Sequence, residues 1–388
     1  MKTRVFLVVS LILGASLANI DCRKRNLEWK GTIAEKNGIF IVKNPKQPVY
    51  LNAKFKFEQD LKIGQASRKP EYLFSQIRDF DVDSKGGVYV IDIKENEIRV
   101  FDSNGAYVRT IGRAGQGPAE FSEAGNVHVN EAGEIMATDG GSQSIKVFSN
   151  DGKYLRKHLL RKFYPIKAAY GPGNFHYFMS FSQEPPGFRL FRYDIRTEEA
   201  DSVAVWKMPP PDPKRASVFD PVMSFSVMPD DRLVYGCPIS DYEVQIFDPQ
   251  GRLERKIFRD YDPLPILAQE KQAILNQRTK FPESQRPIDF PKSHAPYLSV
   301  NNDDEGHIIV HAFSELLQDP SRTSESVFDV FDKEGRYLAQ IRHSFKGLFE
   351  KPIIWKKGKM YTVEQDEEGY PFIVRYAVEG LTSLGIRH

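Results

Sequence analysis

The stretch VFDSNGAYVRTIGRAGQGPAEF, Val100 to Phe121, decides the fold, because shorter copies of it follow. Phe148 opens FSNDGKYLRKH, Phe247 opens FDPQGRLERKI and Phe331 opens FDKEGRYLAQI. Each copy is an aromatic, a polar turn with a glycine, and a basic stretch with interspersed apolar residues. Self-similarity at a fixed period marks a repeat architecture. The landmark aromatic runs through Phe101, Phe148, Tyr193, Phe247, Phe331 and Tyr376, at gaps of 47, 45, 54, 84 and 45 residues. The long gap holds an insertion, so the chain reads as six units.

Each clear unit reads as four strands. The first is RDFDVD, the turn SKGG, VYVIDI, IRVFD, the turn SNG and YVRTIG; the second is NVHVN, EAGE, IMATD, IKVFS, NDG and KYLRKHL. The first three strands carry Val, Ile, Phe and Tyr on both faces, as sheets stacked between neighbours require. Gly105, Gly152, Gly251 and Gly335 supply the positive φ of a tight, bulged hairpin. The fourth strands mix apolar residues with Arg, Lys, His and Gln, which protects an outermost edge from pairing with another molecule. KYLRKHLLRK, from Lys153 to Lys162, is therefore read as a solvated edge rather than a polyanion patch.

Units of about 45 residues with four strands predict an all-β fold, a six-bladed β-propeller of four-stranded antiparallel blades. Closure is legible as well: Lys56 to Ile63 resembles a fourth strand with no first three before it, while PIIW, KMYTVEQ and FIVRYAV supply three strands at the other end. The N-terminal strand is expected to close the last blade.

The pattern resembles NHL-type six-bladed β-propellers, and within them a group of exported bacterial propeller proteins with an IGRxGQGPxEF loop. The matching residues are Ile111-Gly112-Arg113, Gly115-Gln116-Gly117-Pro118 and Glu120-Phe121, with VYVID and IRVFD as repeat hallmarks. The resemblance implies the fold and little about function, because propellers host unrelated chemistries.

The 388 residues contain 54 basic and 52 acidic side chains, a net charge of +2 that lacks the basic excess of a nucleic-acid binder. Lys2 and Arg4 precede an apolar run from Val5 to Leu13 and then small residues, the pattern of a signal peptide over 1–21. Ser16-Leu17-Ala18 fits ordinary cleavage, whereas Cys22 is a candidate for lipidation; both readings stay open. A tether over 22–49 and one propeller over 50–388 are expected, with a helical insertion over 259–294 between blades four and five. In that insertion Ile266, Leu267, Ile274 and Leu275 recur at helical spacing, which predicts an amphipathic helix packed on the ring.

Connections from second to third strand and from blade to blade are long and share one face, where function concentrates. Candidate ligand-binding residues there are Lys94, Glu95, Arg113, Gln116, Glu184, Asp241, Tyr242, Asp366, Glu367 and Tyr370. Candidates for the central channel are Asp79, Asn126, His128 and His294. No HExxH, GxSxG, paired CxxC or calcium-loop pattern is present, and GQGPAE fails the GxGxxG phosphate motif. The reading is a monomeric, exported, non-catalytic scaffold without a cofactor, binding a protein, peptide or glycan and touching a membrane only through a lipid anchor. The alternative is a metal-dependent lactonase or lyase with calcium in the channel.

Overall fold

The computed structural model describes residues 28–64, 69–184, 186–207, 216–217, 223–238, 241–278, 287–313, 325–345, 351–381 and 384. Blade one is Ile77–Val82, Val88–Asp92, Glu97–Phe101 and Tyr107–Ile111; blade two is Ala124–Val129, Ile135–Asp139, Ser144–Phe148 and Tyr154–Leu159. Blade three is Lys167–Tyr170, Phe175–Gln183, Pro186–Asp194 and Glu199–Lys207. Blade four contains Ser224–Val227, Leu233–Gly236, Glu243–Phe247 and Leu253–Arg259; blade five contains Tyr297–Asn302, Ile308–Ala312, Glu325–Phe331 and Tyr337–Ser344. Blade six joins Ile354–Lys356, Lys359–Gln365 and Pro371–Glu379 to the N-terminal strand Lys56–Ile63. The six first strands touch one another in sequence and close the ring.

Burial follows the sequence pattern. Val88–Asp92, Ile135–Asp139 and Ser144–Phe148 are buried throughout, because neighbouring sheets cover both faces. The landmark aromatics are the seam filler: Phe101, Phe148 and Phe331 are wholly enclosed. At each landmark except Tyr193 the pairing of third and fourth strands shifts by a bulge, as at Val100/Phe101 and Val330/Phe331. The turn that follows is held by its own aspartate. Asp102 Oδ1 accepts the amides of Asn104 and Ala106, both at 2.9 Å, and Gly105 sits at φ 80°. Asp248 and Asp332 repeat the arrangement.

The closing strand pairs antiparallel with Pro371–Glu379, from Ile63 opposite Ile373 to Lys56 opposite Glu379. Asp60 fixes it, accepting Arg375 Nε at 2.6 Å and Lys359 Nζ at 2.5 Å.

Two expectations need correction. The span 22–49 is no bare tether: Thr32–Lys36 and Ile39–Asn44 form a hairpin whose second strand runs parallel to Leu253–Arg259. Blade four therefore has six strands, and its basic fourth strand is covered. Arg255 is buried beneath the Phe40 ring at 4.9 Å and pairs with Glu334 at 2.6 Å. Asn44 staples this hairpin to blade five, accepting the Tyr337 amide at 2.8 Å and donating to Gly335 O at 2.9 Å. From there the chain crosses blade five, where Val49 and Tyr50 donate to Tyr337 O and Leu338 O, and enters blade six. The N-terminal segment is thus a belt over three blades.

The helix Ala268–Arg278 forms, but without the expected apolar stripe. Ile266 is buried and precedes it, whereas Leu275 is 41% exposed. Its anchor is polar: His294 Nε2 lies 3.0 Å from Glu270 Oε1, and the imidazole stacks on Phe313 at 4.1 Å. Among the described residues no helix is long and apolar enough to cross a membrane.

Candidate functional site

The inner edge of each blade presents backbone amides to the ring axis, and side chains of the preceding blade satisfy several of them. Asp79 and Asp81 alternate with buried Phe80 and Val82, so both carboxylates emerge on one side of the first strand. Asp79 Oδ2 accepts Val127 N at 3.1 Å and Asn126 Nδ2 at 3.2 Å; Asp81 Oδ2 accepts Val129 N at 2.8 Å. Between blades four and five, Ser224 Oγ accepts Val300 N at 3.0 Å. From blade six, Lys356 Nζ donates to Val82 O at 2.5 Å.

His128 Nδ1 meets Asp81 Oδ2 at 2.8 Å, and its ring stacks on Tyr170 at 4.9 Å. Desolvation pushes Asp79 up to about 6, against the hydrogen bonds from Val127 and Asn126. Desolvation acts upward on Asp81 too, but His128, Lys356 and the Val129 amide together hold the carboxyl below its ordinary range. Burial lowers Lys167. The Tyr170 hydroxyl, His176 Nδ1 and Asn126 Oδ1 are buried without hydrogen-bond partners among the described residues. Three of the four channel candidates, Asp79, Asn126 and His128, thus gather at the seam of blades one and two. His294 does not join them; it lies beside the insertion helix.

No group of three or more His, Cys, Asp or Glu among the described residues is arranged to hold a metal ion. Calcium takes six to eight oxygens. Asp79 and Asp81 are the carboxylates that this seam offers, and the Oδ2 atom of each accepts a backbone amide.

On the long-loop face the candidate residues divide. Lys94 and Glu95 are exposed in the turn after Asp92, and Glu184, Asp241, Glu367 and Tyr370 are exposed as well. Asp366 is committed to its own turn, accepting the amides of Glu368 at 3.0 Å and Tyr370 at 2.9 Å. Arg113 pairs with Glu120 at 2.7 Å within one loop, and Glu120 also accepts Gly117 N at 2.9 Å; Gln116 is exposed between them. Tyr242 is a correction. It is 2% exposed and donates to Asp329 Oδ2 at 2.7 Å, because it leads directly into the strand Glu243–Phe247 and faces blade five.

The IGRxGQGPxEF loop is clamped from below by groups that the sequence reading passed over. Buried Lys146 reaches Asp139 at 3.0 Å and donates to Gly117 O and Glu120 O, while Asp139 Oδ1 accepts the amides of Ser122 and Glu123. Blade one repeats the clamp with Arg99, Asp92 and the Leu73 carbonyl. The signal was present as a base two residues before Phe101 and Phe148.

The long-loop face opens at the seam of blades two and three into a groove of about 470 Å³. Lys162, Tyr164, Phe181, Gln183, Glu184 and Arg189 line it. Tyr164 is 40% and Phe181 52% exposed. A second groove, of about 560 Å³, lies between blades four and five, and at its floor Arg259 is tied to Asp329 at 3.1 Å.

A family model described as a 6-bladed beta-propeller, DUF5128, matches residues 69–204. The chain is a six-bladed β-propeller. Among solved structures, a DUF4221 family member from Bacteroides vulgatus is similar with a TM-score of 0.54 and 12% identity, covering 84% of this chain and 99% of that chain. Virginiamycin B lyase from Staphylococcus aureus gives a TM-score of 0.43 at 12% identity, over 84% of this chain and 99% of that one. Regucalcin from Agrobacterium tumefaciens, described as calcium-binding, gives 0.43 at 10% identity, over 83% and 95%. No curated protein matches the chain. At 12% identity the likeness to the DUF4221 family member is one of fold, and function has to be argued from the site.

Proposed function

We propose that this protein is an exported, non-catalytic propeller that binds a peptide, glycan or protein partner through its long-loop face. The observation that carries the reading is the long-loop face of blade three, where Tyr164 is exposed at the groove and Phe181 is exposed on the other side of the same sheet. Large aromatic rings left in solvent on a rigid scaffold are typical binding anchors. The carboxylates of Asp79 and Asp81 at the axis, by contrast, are engaged with the backbone of the next blade. The leader from Met1 to Ala18 supports export, and Cys22, which lies outside the described residues, is the candidate lipid anchor. The NHL-type resemblance, a monomeric state and the lack of a cofactor belong to the same reading.

The test is a binding screen of the full chain against oligosaccharides and peptides, repeated with Tyr164→Ala/Phe181→Ala. A ligand that loses at least tenfold in affinity at an unchanged melting temperature supports the reading. A ligand that ignores this pair but is lost with Lys85→Ala/Lys333→Ala, on the short-turn face, sinks it.

A second reading, acid–base chemistry at the axis of the lactonase or lyase kind, is favoured by the Asp81–His128 pair. A carboxylate on Nδ1 orients the imidazole and leaves Nε2 as the working atom, and the His128 side chain is 20% exposed. In this version, the metal-dependent alternative of the sequence analysis, His128 serves as the base and Asp79 and Asp81 are the carboxylates at the same seam. Turnover of a lactone panel that disappears in His128→Gln would favour it; no turnover by the parent chain would remove it.

A further inference from the structure

We infer that the groove between blades two and three takes an acidic glycan, with the carboxylate of a hexuronate sugar seated on Arg189. The inference rests on the long-loop reading and narrows it to one ligand class.

Arg189 lies on the third strand of blade three, opposite Ser180 on one neighbour and Val205 on the other. Its buried Nε has no hydrogen-bond partner, and among the described residues it meets no carboxylate. Other third-strand bases behave differently. Lys146 reaches Asp139 at 3.0 Å, Arg375 reaches Asp60 at 2.6 Å, and Arg192, three residues along from Arg189, reaches Asp201 at 3.0 Å. A half-buried guanidinium with an unanswered donor is unfavourable by itself. An incoming carboxylate would satisfy it through two parallel charge-assisted bonds.

The walls indicate what carries that carboxylate. Phe181 pairs with Phe188 and packs edge-on against it at 6.0 Å on the face of the sheet opposite to Ser180 and Arg189, so Tyr164 is the exposed aromatic wall on the Arg189 side. Tyr164 is held through its hydroxyl by Glu123. The held ring of Tyr164 suits the C–H face of a pyranose, while Gln183 and Glu184 at the rim offer partners for hydroxyl groups. Glu184 is exposed, so its charge is screened by solvent, and Lys162 stands as a second cation. A peptide would need a socket for an anchoring side chain. Here the apolar floor is filled ring on ring, with Phe163 on Phe191 at 4.6 Å, which leaves a flat surface. The volume of about 470 Å³ falls within the small-ligand range.

The experiment is calorimetric titration of the full chain with galacturonate, glucuronate and mannuronate tetramers, their neutral hexose counterparts, and a glutamate-rich pentapeptide. The expected result is at least tenfold tighter binding of one acidic tetramer than of its neutral counterpart. Arg189→Gln should erase that preference, and Arg189→Lys should restore part of it, at unchanged melting temperatures. Acidic tetramers binding no tighter than neutral ones, or a preference that survives Arg189→Gln, would overturn the inference. Arg189-dependent binding of the pentapeptide alone would also overturn it. Neutral tetramers that bind and are lost in Tyr164→Ala/Phe181→Ala would leave the long-loop reading standing while the acidic assignment fell. Sugar binding indifferent to every one of these substitutions would remove both.

Discussion

Lys146 and Asp139 meet at 3.0 Å inside blade two, with 3% and 0% of each residue exposed, and together they hold the loop that enters the blade. Breaking a buried pair from one side leaves an unpaired charge. Lys146→Met is expected to cost about 3–5 kcal/mol, while Lys146→Met/Asp139→Asn should cost less than the single change. Urea denaturation of both variants checks this, and equal losses would mean that the loop contacts, not the charge, set the cost.

Tyr242 and Arg113, once grouped on one surface, should separate. Tyr242→Phe removes a buried hydrogen bond to Asp329 and is expected to cost about 1–2 kcal/mol. Arg113→Ala breaks an exposed pair with Glu120 and should cost less than about 1 kcal/mol. Thermal unfolding of the two variants side by side decides the order.

Asp79 makes a prediction in pH. Its folded pKa, about 6, lies above the ordinary 3.8, so between these values the folded chain binds more protons than the unfolded one. Stability contributed by this group should fall as pH rises from about 4 to about 6. Asp79→Asn should flatten the profile in that window, measured by denaturation at a series of pH values. An unchanged profile would show that Asp79 ionises at its ordinary value.

The belt gives a graded deletion. Removing residues through Asn44 strips the hairpin from blade four and should lower the melting temperature while leaving a cooperative transition. Removing residues through Ile63 leaves Pro371–Glu379 as an open edge and should abolish that transition and promote association. Calorimetry and size-exclusion chromatography read both effects.

The ring was legible because its strands repeat and each blade needs the same seam filler. Phe101 and Phe148 announce the period, and Lys56 to Ile63 reads as an orphaned outer strand because its path matches a later one. The hairpin at 32–44 was not legible, since a strand added to an outer edge has no counterpart in the other units. Tyr242 misleads because a long loop does not guarantee exposure, and the strand pattern EVQIF follows it directly. The helix misled because Ile266 and Leu267 were counted in its stripe, yet they lie ahead of its first turn. Arg189 carries no motif. Only the pairing of its neighbours in three dimensions distinguishes it from the bases that are neutralised.

The belt also dictates a calendar for folding. Asp60 is synthesised early, yet its partner Arg375 follows 315 residues later. Until that late strand exists, the outer strand Lys56–Ile63 has no sheet to join and the ring has no closure. Contacts so distant in sequence are slow to form, because the loop entropy is spent before the reward arrives. The chain therefore stays open for as long as it is being made. For a protein exported as proposed, this delay would keep it threadable through a membrane channel and postpone the final locking step to the far side.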